Sequence, residues 1–237
     1  MTWHWTILLA AAAICSCPTA PASAQETEIG SRVAQRRQTA SGKPVAQSVV
    51  DSHLYAECVV HRRSAQSADY LALTDPKVTA AARNNLGREI QCTNSQISSE
   101  FGNEQRLSIP TDLYRGMIAE ALIGSRFARS TPPALPLTRV YVSPWGTVSG
   151  RAAAVEDMGI CVAATSPAGI RAVLATHPES DEELAALHAL SPSMGPCLAA
   201  NVKLTANRQS IRATLAEALY HRLTSPVLVT VPAPEKK

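Results

Sequence analysis

The sequence predicts an all-α fold, built as a tandem duplication of one small helical unit with a disulfide in each copy. Three observations carry that expectation. The chain is 46% apolar but only 4% aromatic, so Ala, Leu and Val must fill its core, and Ala and Leu lead the helix-propensity ranking. Four landmarks recur in the same order in two stretches. Four cysteines stand at matching points within those stretches.

The landmarks are short. Cys58-Val59-Val60 matches Cys161-Val162-Ala163. Leu71-Ala72-Leu73-Thr74-Asp75-Pro76 matches Val173-Leu174-Ala175-Thr176-His177-Pro178. Cys92 and Cys197 follow, separated from the first cysteine by 34 and 36 positions. Finally, the octapeptide that starts at Arg115 matches the one that starts at Arg212, with five of eight residues identical. A fixed order of repeats marks repeated structure. Four cysteines allow three pairings, and equivalent cysteines making equivalent bonds selects Cys58–Cys92 and Cys161–Cys197. Closing loops of that size stabilises each unit by about 3–4 kcal/mol in the chain-entropy account. Units this short build only marginal cores without such a staple. No C-x-x-C is present, so a thioredoxin-like role lacks its motif.

The elements follow in order. Residues 1–24 read as a secretory signal peptide: an apolar run at 7–14, then Pro18, then the A-x-A pattern Ala22-Ser23-Ala24 with cleavage after Ala24. The leading residues carry no Lys or Arg, a departure from the usual pattern. A lipoprotein anchored at Cys17 is the minor alternative. Either way the expected location is periplasmic or secreted, an oxidising compartment that favours disulfides. Residues 25–50 are polar and aperiodic and are expected to form a disordered arm.

Helical unit 1 spans 51–128. Its first helix is expected from Asp51 to Arg63, with Leu54, Cys58 and His61 or Val60 on one face. A short helix follows at 65–73. Pro76 opens the next helix at a position where its missing N–H costs nothing, and that helix is expected to end at Cys92. A minor β-hairpin around Gly102-Asn103 is allowed by the alternation there. Pro110 starts the last helix, whose apolar face is Tyr114, Ile118, Ala121 and Leu122.

A Pro-rich linker covers 129–150, and Val140-Tyr141-Val142 within it has strand character. Helical unit 2 spans 151–224. Ser180 and Glu183 form a capping box, and Ser191-Pro192 is expected to stop the helix that follows. Ile211, Leu215, Ala218 and Leu219 repeat the apolar face of the last helix. The tail, 225–237, has strand character at 226–231.

The search for chemistry returns little. A net charge of +3 is too small and dispersed to predict nucleic-acid binding. No apolar stretch of the mature chain has transmembrane length. Cys58-x-x-His61 has ligand-like spacing, but zinc needs a free thiolate and position 164 in the other copy is Ala. His53, His61, His177, His188 and His221 are expected on surfaces or helix faces. Ser193 lacks the G-x-S-x-G turn of a hydrolase nucleophile, and no phosphate loop or Ca²⁺ loop appears. No cofactor or metal is expected.

Arg115 and Arg212, repeated with Glu120 and Glu217, are the remaining candidates. One reading makes them a twofold-related anion or partner contact. The other makes each a structural ion pair within its unit, or an Arg stem covering the apolar face. Arg and Glu stand five positions apart, about 140° around a helix, so the two on one helix do not meet.

The Cys-Val-Val helix, the Leu/Ala-Thr-x-Pro turn, the second Cys and the Arg-x-x-Leu/Ile-Ala-Glu-Ala-Leu helix together resemble a group of uncharacterised, secreted, Cys-containing helical proteins of Gram-negative bacteria. The likeness covers residues 51–125 and 155–224. It implies export and a helical fold and carries no activity. The functional expectation is a non-catalytic envelope protein that binds a small ligand or another envelope protein between its units. An enzyme with an unmarked site in that groove and a structural envelope component are the alternatives.

Overall fold

The computed structural model describes residues 45–92, 109–137, 144–199, 202 and 204–225. Among these every regular element is helical and no strand occurs. The signal segment, most of the arm, the hairpin around Gly102 and the two strand-like stretches lie outside the described residues.

The first half contains α1 (Val45–Arg62), α2 (Ser64–Ala72), α3 (Pro76–Leu86) and α4 (Thr111–Arg126). After the short α5 (Gly146–Ser149) the second half contains α6 (Ala153–Thr165), α7 (Pro167–Leu174), α8 (Asp181–Met194), a 3-10 turn (Gly195–Cys197) and α9 (Arg208–Thr224). Disulfides join Cys58 to Cys92 and Cys161 to Cys197, with Cα atoms 5.6 and 5.5 Å apart. Both pairings agree with the expectation from the repeat.

The core sits between α4 and α9. These two helices pack on each other, α9 also on α6 and α7, and α4 also on α1 and α2. Most of the expected faces is buried: Ile118, Leu122, Leu215 and Leu219 are inaccessible, while Ala121 and Ile211 are half-buried. Burial goes further than one face, taking in 112–119 of α4 and 212–221 of α9. A helix surrounded on all sides needs small residues where backbones cross. A Cβ on Gly116 would stand 2.3 Å from Ala213 Cα, and one on Gly159 2.4 Å from Thr214 Cγ2. Those glycines let α4 and α6 lie against α9.

Several boundaries differ from the expectation. The first helix begins at Val45 rather than Asp51. Its buried face runs through Ala56, Val59 and Val60, while Leu54 and Cys58 are half-buried and His61 is exposed. The α3 helix stops at Leu86, and Cys92 lies on a separate helical turn after Gly87. Asp75 caps α3 by accepting from Lys77 N and Val78 N at 2.9 Å. Pro192 does not stop α8, which continues to Met194. A proline at that point leaves the His188 carbonyl without its helical donor. The Ser191 hydroxyl donates to it instead at 2.8 Å, so the last turn survives.

Ser180 caps α8 by accepting from Glu183 N at 3.1 Å. Glu183 reaches back one residue further than a capping box requires, accepting from Glu179 N at 2.9 Å. Part of the expected linker is tied to the second half. Leu135 N donates to Ala164 O at 2.8 Å, Arg222 Nη2 to Pro133 O at 2.9 Å, and Arg171 to the carbonyls of Phe127 and Ser130.

Candidate functional site

Arg115 and Arg212 both lie in the interior, 0% and 1% exposed. Neither pairs with the glutamate of its own helix, and only Arg212 has a carboxylate partner, Glu183, within its own half. Arg115 Nε donates to Glu217 Oε1 at 2.7 Å, and Arg212 donates to Glu120 at 2.6 and 3.0 Å. Each helix of the central pair thus supplies the arginine for the other's glutamate. The remaining guanidinium N–H groups serve a second matched purpose. Arg115 donates to Tyr70 O and Leu71 O at the end of α2. Arg212 donates to Val173 O and Thr176 O at the end of α7. These carbonyls lie at the negative end of a helix dipole, where Tyr70 O also accepts from Leu73 N and Val173 O from Thr176 N.

Two further clusters complete the network. Arg151 Nη1 lies 2.7 Å from Glu217 Oε2 and 2.9 Å from Glu156 Oε1. Burial disfavours the Glu217 charge, but Arg151, His221 and Arg115 outweigh it and hold the carboxyl far below the usual carboxylate range. Burial likewise opposes the Arg151 charge, and Glu217 and Glu156 reverse that and raise its pKa. On the other side Arg212 meets Glu183 at 2.9 Å, and Arg208 bridges Glu183 and Glu179. His53 Nδ1 stands 3.5 Å from Glu120. Burial pushes its pKa below the ordinary value of 6.5, partly offset by Glu120.

Between the halves lies a cavity of about 450 Å³. Its walls are α2 through Ala68 and Leu71, α6 through Ile160 and Ala163, and α9 through Ala218. Trp145 closes one side, stacked on His221 with ring centroids 3.7 Å apart and planes 14° from parallel. Parallel stacking at that distance fixes both rings. His221 Nε2 is 3.7 Å from Glu217 Oε1, longer than a hydrogen bond. One side chain therefore separates the cavity from the buried ion pairs.

The other expected histidines are scattered: His61, His177 and His188 are exposed. Ser193 is half-buried in the last turn of α8. Among the described residues no group of three or more His, Cys, Asp or Glu is placed to hold a metal ion, and no helix is long and apolar enough to cross a membrane. Sequence reasoning missed Arg151, Glu156 and the Trp145–His221 stack. Arg151 stands just before α6 with no periodic pattern around it, so no local signal marks it. Comparison with protein-family models, with curated proteins and with solved structures found no match.

Proposed function

We propose that the protein is an extracytoplasmic binding protein that holds a small, largely apolar ligand between its two halves. The observation that carries this reading is the cavity, whose size falls within the range of small-molecule sites, about 300–1,000 Å³. Its wall combines four alanines, Leu71, Ile160, Pro144 and two aromatic rings with a few polar groups: the hydroxyls of Thr74, Thr224 and Ser225, His221 and Arg222. That lining supports binding over catalysis, which calls for convergent titratable groups. Two disulfides support an oxidising compartment, in keeping with export and removal of residues 1–24. The matched cysteine bonds and exchanged Arg–Glu pairs support reading the halves as copies of one ancestral unit.

The test uses N-phenylnaphthylamine, an uncharged apolar probe that brightens on leaving water. It is expected to bind the disulfide-bonded protein at one site. Ala68→Leu, which adds bulk at a half-buried wall position, is expected to weaken that binding without lowering the melting temperature. No saturable binding by the wild-type protein overturns the reading.

A further inference from the structure

The geometry points to an amphiphile with one anionic end as the ligand class, its apolar body against Leu71, Ile160 and Ala163 and its anion at Arg222. This rests on the binding reading above and adds the charge that the ligand carries. Among the described residues no carboxylate lines the cavity. Arg222 lines it as its permanent charge, half-buried, in the last turn of α9. One of its nitrogens, Nη2, donates to Pro133 O at 2.9 Å, and its buried Nε has no hydrogen-bond partner. By contrast, Arg115, Arg151, Arg208 and Arg212 all hold carboxylates. Arg222 has no carboxylate partner among the described residues, so its charge is available to a ligand.

One effect opposes this. Both α2 and α9 end at the cavity, and a helix C-terminus carries about half a negative charge. Hydrogen bonds already engage those ends. On α2, Arg115 donates to Tyr70 O and Leu71 O. On α9, Thr224 Oγ1 donates to Tyr220 O at 3.0 Å and Ser225 N to His221 O at 2.9 Å. A whole guanidinium charge against such damped partial charges leaves that end of the cavity positive. A half-buried arginine at the edge of a partly apolar cavity gives a charge-assisted bond more weight than it has in water. An anion gains it, and a neutral polar end does not.

The experiment is calorimetric titration of the disulfide-bonded protein with decanoate and with decanol, below the micellar concentration. They share a chain and differ in the charge at its end. Decanoate is expected to bind roughly ten-fold tighter or more. In Arg222→Gln that preference is expected to vanish while decanol affinity holds, and in Arg222→Lys it is expected to persist. The melting temperature of each variant confirms its folding. Decyl phosphate, run in parallel, distinguishes a phosphate-ended ligand from a carboxylate-ended one, and tighter binding of either than of decanol supports the inference. Equal affinities for decanoate, decyl phosphate and decanol overturn it and leave the binding reading standing. A preference that survives Arg222→Gln in a folded variant overturns the assignment to Arg222. Binding of none of the three, with N-phenylnaphthylamine also failing, overturns the binding reading itself.

Discussion

The two Arg–Glu pairs that cross between α4 and α9 use matching residues and are balanced in opposite ways. At one end a single carboxylate, Glu217, serves two guanidiniums, Arg115 and Arg151. At the other a single guanidinium, Arg212, serves two carboxylates, Glu120 and Glu183. The first end is sealed, with Glu217 fully buried, whereas the Glu120 side chain is 17% exposed. Removing one partner of a buried pair costs far more than the pair contributes net, because the other charge stays buried. The cost of a substitution therefore depends on how many partners the lost group leaves behind.

The largest expected effect tests that asymmetry. Glu217→Gln leaves the fully buried Arg115 without a carboxylate and Arg151 with Glu156 alone, and is expected to lower the unfolding free energy by about 3–5 kcal/mol. Glu120→Gln leaves Arg212 with Glu183 and is expected to cost about 1.5–3 kcal/mol. Urea denaturation of both variants decides the matter, and equal losses erase the distinction between the two ends. The disulfides should instead behave alike. Their loops differ by two residues, and stabilisation varies only with the logarithm of loop length. Cys58→Ser and Cys161→Ser are each expected to cost about 2–5 kcal/mol, and each should match its bonded partner's variant, Cys92→Ser or Cys197→Ser. A lower melting temperature for one member of a bonded pair alone breaks the correspondence.

A smaller effect probes the crossing itself. Gly116→Ala places a methyl group against the Ala213 backbone and is expected to cost about 1–3 kcal/mol by overpacking. Thermal melts check this, and a neutral result means that α4 and α9 can separate without loss. The smallest effect concerns His53. Its folded pKa is lowered, so the unfolded chain binds the proton more readily. Stability is then complete above pH 6.5 and declines as pH falls below it toward the lowered value. His53→Gln is expected to flatten that decline in urea midpoints measured across the interval. An unchanged slope would assign it to another group.

What the sequence made legible follows from how local each signal was. The disulfide pairing was readable because four ordered landmarks placed the cysteines in equivalent positions. The apolar faces of α4 and α9 were readable from helical spacing alone. The expectation also held that Arg115 cannot meet Glu120, nor Arg212 meet Glu217, on one helix. It did not reach the exchange between helices, since that depends on where Gly116 lets α9 approach. Pro192 misled because the compensating donor is the neighbouring Ser191 hydroxyl, whose direction depends on its rotamer. Trp145 read as a linker residue. Its stacking on His221 depends on a return of the chain that no local pattern encodes.

The exchanged pairs also bear on the order in which the chain acquires its fold. Arg115 must find a carboxylate 102 positions further along, and Arg212 one 92 positions back. As the chain leaves the ribosome, the first half exists for a time with Arg115 and Glu120 unmatched and α4 lacking its neighbour. Contacts this distant in sequence slow folding. Consolidation of the core therefore waits for α9, and until then α4 presents an apolar surface that a holding chaperone can recognise.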